Sequence, residues 1–325
     1  MNRRAWLIGT LALCASPSPG SAQAPRRTYR IGILGGSSPT SPEARHFWDA
    51  FFGALRELGY VDGQNVVFEG RYYGDHLDKL PAMAEELARA RVDVIVAGAV
   101  PAPEAARRAT STIPIVMVNH PDPVASGLVV SYSRPGGNVT GLSMASHELR
   151  VKMLELTKEM RPGLTRVAFL RQPGVPLDTR ELERAARALK VRVQFVDAAE
   201  PGEIADAFAV ATREQAGAVL VLAGAMFFKY RAQIAELAVK SRMPTAYLLR
   251  EHVLAGGLLS YGLDLRENFR RVAGIVDRIL KGARPAELPV ERPTKFWLAL
   301  NLKTAKALGL AIPPSLLARA DETIE

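Results

Sequence analysis

The stretch VNHPDPVASGLVVSYSRPGGNVTGLS, residues 118–143, decides how the chain is organised. An apolar run ends at Val118, and a polar loop opens with Asn119, His120, Pro121 and Asp122. Arg134, Pro135, Gly136, Gly137 and Asn138 then break the chain before a second apolar run. Three readings fit such a break: a phosphate-binding loop, a glycosylation triplet at Asn138-Val139-Thr140, or a crossing between two lobes. The flanking sequence separates them.

Upstream, short apolar runs alternate with amphipathic segments. RIGILGG (30–36), NVVFEGRY (65–72), VDVIVAGA (92–99) and IPIVMVN (113–119) read as strands. They lack polar alternation, so both faces are buried, as in a parallel sheet covered by helices. Between the first two strands, residues 41–60 place Phe47, Phe51, Leu55 and Leu58 on one helical stripe. Residues 77–90 and 103–110 supply two more helices. The rhythm resumes after the break, with strands at 165–171, 191–197, 216–225, 243–249 and 256–262 and helices between most of them. This predicts an α/β protein of two Rossmann-like lobes with parallel sheets, one on each side of a break near residue 140.

The last part departs from a simple tandem. Residues 264–282 form a strong amphipathic helix, 283–295 a proline-rich connector, and 296–310 a strand and short helix. The chain is expected to return to the first lobe and cross back near its end. The expected boundaries are 28–140 plus about 264–292 for the N-terminal lobe, and about 141–263 plus 293–325 for the C-terminal lobe. Gly136, Gly137 and Asn138 are the expected hinge, because glycine accepts backbone angles that other residues resist. A phosphate loop belongs between a strand and a helix, and RPGGN does not stand there.

The first 24 residues read as an export signal: Arg3 and Arg4, an apolar core too short to span a bilayer, and Ala22-Gln23-Ala24 as a small-x-small cleavage site. Removing this leader lowers the formal net charge of +9 by two and takes away Cys14, the single cysteine. The mature chain then has no disulfide and no thiol chemistry. Most of Arg89, Arg91, Arg107, Arg108, Arg180, Arg184, Arg187, Arg270 and Arg271 fall at helical spacing opposite apolar positions, and no nucleic-acid motif accompanies them. No metal-spaced histidine pair and no G-x-S-x-G elbow is present. The expectation is a periplasmic, monomeric, non-enzymatic protein without a cofactor.

Several segments together resemble a known family. RELGYVDGQNVVFEGRY (56–72), ATSTIPIVMV (109–118), DPVASGLV (122–129), SRPGGNVTGLS (133–143) and residues 288–322 are similar to the ABC-transporter substrate-binding proteins often labelled tryptophan/tyrosine-type. The resemblance implies a type I periplasmic binding fold: two lobes, three crossovers, a small-molecule ligand in the cleft, and an ABC permease as partner. The alternatives are a ligand sensor for a membrane receptor and an exported enzyme.

In open α/β sheets the ligand lies beyond the carboxyl ends of the strands. That rule selects Gly36, Ser37, Ser38, Gly98, Ala99, Val100, Asn119, His120 and Asp122 in the first lobe. In the second it selects Arg171, Gly224, Ala225, Met226, Arg250 and Glu251, with Tyr261 at a crossing. Helix starts among these loops offer N–H groups to a carboxylate. Asp122 and Glu251 are the candidate acceptors for an amine, with capping of the short helix PVASG favoured over direct contact for Asp122. Met226, Phe227, Tyr261 and Trp48 are candidates to pack an apolar side chain. His120 is expected to place a titratable group on the cleft wall, which makes a polar or acidic ligand as plausible as an aromatic amino acid.

Overall fold

The computed structural model describes residues 27–325 except 43, 75, 99, 100, 145 and 174–176. The expected leader and the expected contact residues Ala99 and Val100 lie outside the described residues. The first sheet is built from β1 (Tyr29–Gly35), β2 (Val66–Tyr72), β3 (Val94–Gly98), β4 (Ile115–His120) and β5 (Val139–Ser143), in the order β2-β1-β3-β4-β5. Every pairing in it is parallel.

The continuous apolar runs follow from burial on both faces. Ile31, Ile33, Val94 and Val96 face α1 (Arg45–Glu57), while Leu34, Ile95 and Ala97 face α2 (Leu80–Arg89) and α3 (Ala102–Ala109). Helix α1 supplies Phe51 and Leu55 to the first of these layers.

After β5 the chain enters the second lobe through α4 (Ser146–Met160). There follow β6 (Arg166–Arg171), α5 (Arg180–Ala188), β7 (Arg192–Asp197), α6 (Ile204–Arg213), β8 (Val219–Val221), α7 (Ala225–Lys229), α8 (Arg231–Lys240), β9 (Thr245–Leu249), α9 (Arg250–Leu254) and β10 (Leu259–Leu263). Helix α10 (Leu265–Leu280) then returns to the first lobe, where Val272 and Val276 join the core beneath α1. Its start is fixed by Asp264, whose carboxylate accepts from the N–H groups of Arg266 (2.9 Å) and Glu267 (3.3 Å).

The connector next runs beside β5. Thr140 Oγ1 donates to the Leu288 carbonyl at 2.8 Å, and Glu291 exchanges backbone hydrogen bonds with Gly141 and Ser143 at 2.9 Å each. The chain then crosses back to β11 (Trp297–Asn301), α11 (Leu302–Ala307), α12 (Pro314–Leu317) and β12 (Glu322–Ile324). The second sheet has the order β12-β11-β10-β9-β8-β6-β7. Strands β6 to β10 run parallel to one another, whereas β11 runs antiparallel to β10 because it enters from the opposite lobe, and β12 pairs parallel to β11.

Two expectations need correcting. Strand β5 belongs to the first sheet, so the chain first crosses after Ser143. Gly136, Gly137 and Asn138 precede β5, at the end of the sheet away from the crossing. The Gly136 N–H donates to Ala286 (3.3 Å), and the buried Asn138 amide donates to the carbonyls of Thr110 (3.1 Å) and Ile113 (2.8 Å). This segment is a pinned turn of the first lobe, and the positive φ of Gly136 (79°) serves that turn.

Candidate functional site

A cavity lies between the carboxyl ends of the two sheets, with about 900 Å³ of empty space including its mouth. From the first lobe, Gly35, Gly36 and Ser37 after β1, Gly98 after β3, and Asn119 and Pro121 after β4 form one wall. Ala223, Gly224, Ala225 and Leu249 face them from the second lobe. The two walls come close at Gly36, where a Cβ would lie 3.6 Å from that of Ala225.

The remaining wall is aromatic. Phe47 and Trp48 come from the first turn of α1, Phe269 from α10 and Phe228 from α7. Phe47 stacks on Phe269 with centroids 5.7 Å apart and reaches across to Phe228 at 5.9 Å. Trp48 meets Phe269 edge-on at 5.0 Å. Phe47 is 3 % exposed and packs with the core of the second lobe although α1 belongs to the first.

Among the described residues, no ionisable side chain lines the cavity. Its polar equipment is backbone amide, Ser37 and Asn119. Asn119 holds a positive φ of 57°, which asparagine tolerates better than most residues. Its amide oxygen accepts from Asn268 of α10. Charge sits near the His46 ring of α1 instead: burial first, then Arg266, Arg231 and Arg250, lower the pKa of His46. These arginines favour the approach of an anion.

Of the residues expected from sequence, Gly36, Ser37, Gly98, Asn119, Gly224 and Ala225 line the cavity, as does Trp48. The others take different places. Ser38 pairs with Thr40 at 2.9 Å. His120 is 3 % exposed and turned into the first lobe, where Nε2 meets Glu104 Oε1 at 2.8 Å. The Asp122 carboxylate accepts from the Ala125 N–H at 3.0 Å, the capping role. Arg171 pairs with Asp197 (2.6 Å) on the outer strand β7, and Arg250 with Glu322 (2.8 Å) on the opposite edge strand. Met226 and Phe227 pack into the second-lobe core, and Tyr261 stacks on Phe296 at 5.7 Å. The wall residues Phe47, Phe228, Phe269, Leu249, Leu265 and Met144 had no individual signal in the sequence.

Glu251 does not line the cavity either. Burial pushes its carboxyl up to about 7, and the neighbouring His252 ring is lowered to about 3, again chiefly by burial. The two titrate with opposite consequences. Glu251 stabilises the fold fully below its ordinary value of 4.5, and that contribution is lost as pH rises towards 7. His252 contributes above its ordinary 6.5, and this is lost as pH falls towards 3. The Glu251→Gln variant should therefore be more stable than wild type at pH 8, with the gap closing by pH 5. Urea melts at four pH values check this, and a gap independent of pH would contradict it.

A pair of βα lobes threaded three times by one chain, closing on a cavity of aromatic side chains and backbone amides, defines a two-lobed solute-binding protein of the type I periplasmic binding fold. The chain belongs to the ABC transporter substrate binding protein family, which it matches over residues 41–324. It is 26% identical over 274 residues to a tyrosine-binding protein of Clostridioides difficile (strain R20291), covering 80% of this chain and 75% of that one. A conserved domain protein from Vibrio cholerae superposes with a TM-score of 0.84 at 25% identity, covering 91% of this chain and all of that one. The ABC domain of Streptococcus pneumoniae in complex with L-Trp gives 0.83, also at 25% identity, with the same coverage. This is a family of solute-binding proteins, not of enzymes. Among the described residues no helix is long and apolar enough to cross a membrane, and no three His, Cys, Asp or Glu side chains cluster to hold a metal ion.

Proposed function

We propose that this chain is the periplasmic solute receptor of an ABC importer, that it closes as a monomer over an amino acid with an aromatic or branched side chain, and that it hands this ligand to a permease. The observation that carries the reading is the aromatic wall of Phe47, Trp48, Phe228 and Phe269, set against the glycine-containing loops at Gly35-Gly36-Ser37 and Gly224-Ala225. The wall suits an apolar body. The N–H groups at Gly36-Ser37 and at Gly224-Ala225, where α7 begins, suit a carboxylate. Relatives described by tyrosine and L-Trp support the same class.

Protein unfolded, washed free of small molecules and refolded is the material for the test. L-Trp, L-Tyr, L-Phe or L-Leu at 100 times Kd should add about 2.7 kcal/mol of stability. A thermal-shift series over the twenty amino acids reads this out. No shift with any of them would count against an amino-acid receptor.

A further inference from the structure

Three strand ends of the first lobe converge behind the Gly36 wall: Tyr73 after β2, Glu104 in the first turn of α3 after β3, and His120 at the end of β4. The Asp122 N–H donates to His120 Nδ1 at 3.1 Å. That nitrogen is an acceptor, so Nε2 carries the hydrogen and donates to Glu104 Oε1 at 2.8 Å. Half of the Glu104 carboxylate is thereby occupied. Its other oxygen, Oε2, is buried with no hydrogen-bond partner. The Tyr73 hydroxyl is in the same condition, in a residue 2 % exposed. Burial first, and the charge of Glu104 second, push that phenol up to about 12.

Each such atom is destabilising while it lacks a partner. The Tyr73 hydroxyl stands directly behind the cavity wall, since a Cβ on Gly36 would lie 3.4 Å from it and Gly36 lines the cavity, and Glu104 is close enough to Tyr73 for its charge to act on the phenol. An anionic acceptor beside a phenol oxygen is the complement of a donor-rich cation. A primary ammonium satisfies both atoms at once, and its charge is matched by a carboxylate that His120 holds in place.

We infer that Glu104 and Tyr73 form the ammonium subsite of the cavity, with His120 as the positioning residue, so that the protein selects α-amino acids over carboxylic acids of the same shape. This rests on the amino-acid reading above. The sequence had assigned this role to Asp122, which caps a turn, or to Glu251 of the second lobe.

The test compares L-tryptophan with indole-3-propionate, which lacks only the ammonium, by calorimetry on the refolded full chain. Wild type should prefer L-tryptophan by at least tenfold. In Glu104→Gln that preference should shrink to less than threefold, and in Tyr73→Phe it should fall by about half on a logarithmic scale. His120→Gln, which can still donate to Glu104, should keep the preference, whereas His120→Ala should reduce it. Melting temperatures confirm folding, and Tyr73→Phe decides the matter if Glu104→Gln does not fold. A folded Glu104→Gln variant with the full preference overturns the subsite while leaving the amino-acid receptor standing. If wild type binds neither L-tryptophan nor any other amino acid, the receptor reading fails and this inference fails with it.

Discussion

Gly141→Ala should cost about 3 kcal/mol or more, the sum of forcing a side chain into a glycine-only backbone region and of overpacking against a neighbouring strand. Gly141 has a φ of 135° in the middle of β5, and an added Cβ would lie 2.2 Å from the Met117 carbonyl oxygen and 2.6 Å from its nitrogen. Both atoms are backbone, so nothing nearby can rotate away. The register of β4 against β5 shifts between Met117 and His120, and Gly141 lets the two strands approach at the start of that shift. Gly137→Ala is the matched comparison. Its φ is not in the left-handed range and open space surrounds its Cβ position, so the change should stay within about 0.5 kcal/mol. Denaturant midpoints for the two variants are enough to decide. Equal, small effects would mean that the approach at Met117 is far looser than described.

On the amino-acid receptor reading proposed above, Phe47→Ala should weaken binding of L-tryptophan by about 30- to 100-fold, and it should lower stability by about 3 kcal/mol, near the lower end for truncating a buried phenylalanine. The ring is a wall of the cavity and a contact between lobes, so its loss removes ligand surface and part of what the closed clamp rests on. Phe52→Ala reproduces the loss of stability without the loss of ligand surface. Phe52 is on the same helix, packs on Phe68 at 4.8 Å, and does not line the cavity. It should lose stability and keep affinity within about threefold, or about 0.7 kcal/mol. Equal affinities for the two variants would remove Phe47 from the binding surface.

Much of this architecture was readable because burial on both faces leaves an uninterrupted apolar signature. Runs such as IGIL and IVMV announce parallel strands covered by helices, and the rule of strand carboxyl ends then selects Gly36, Gly98, Asn119 and Gly224. The antiparallel entry of β11 was not readable, because pairing direction depends on which lobe the chain comes from. The Gly136-Gly137 pair suggested a pivot on composition alone, yet contacts to residue 286 and to the carbonyls of Thr110 and Ile113 fix that segment.

The aromatic wall was hidden for a related reason. Phe47, Phe51 and Leu55 form one stripe, and periodicity cannot say that the first lies past the edge of the sheet while the other two lie over it. Phe269 is concealed in the same way on α10. Glu104 sits in PEAARRAT, which reads as an ordinary short helix with a charged outer face. Its burial depends on His120, sixteen positions later, and on Tyr73, which arrives from another strand.

The return of α10 beneath α1 sets the order in which stability can appear. Tyr60 donates to Asp277 at 3.0 Å across 217 positions of sequence, and Thr140 to Leu288 across 148. Until those late segments are present, Phe51 and Leu55 lack the helix that covers them and the edge of β5 is bare. A fragment ending at Ser143 would therefore be sticky rather than an independent half. Contacts this distant slow the search for the native state, and they make both halves mature as a single event near the end of the chain.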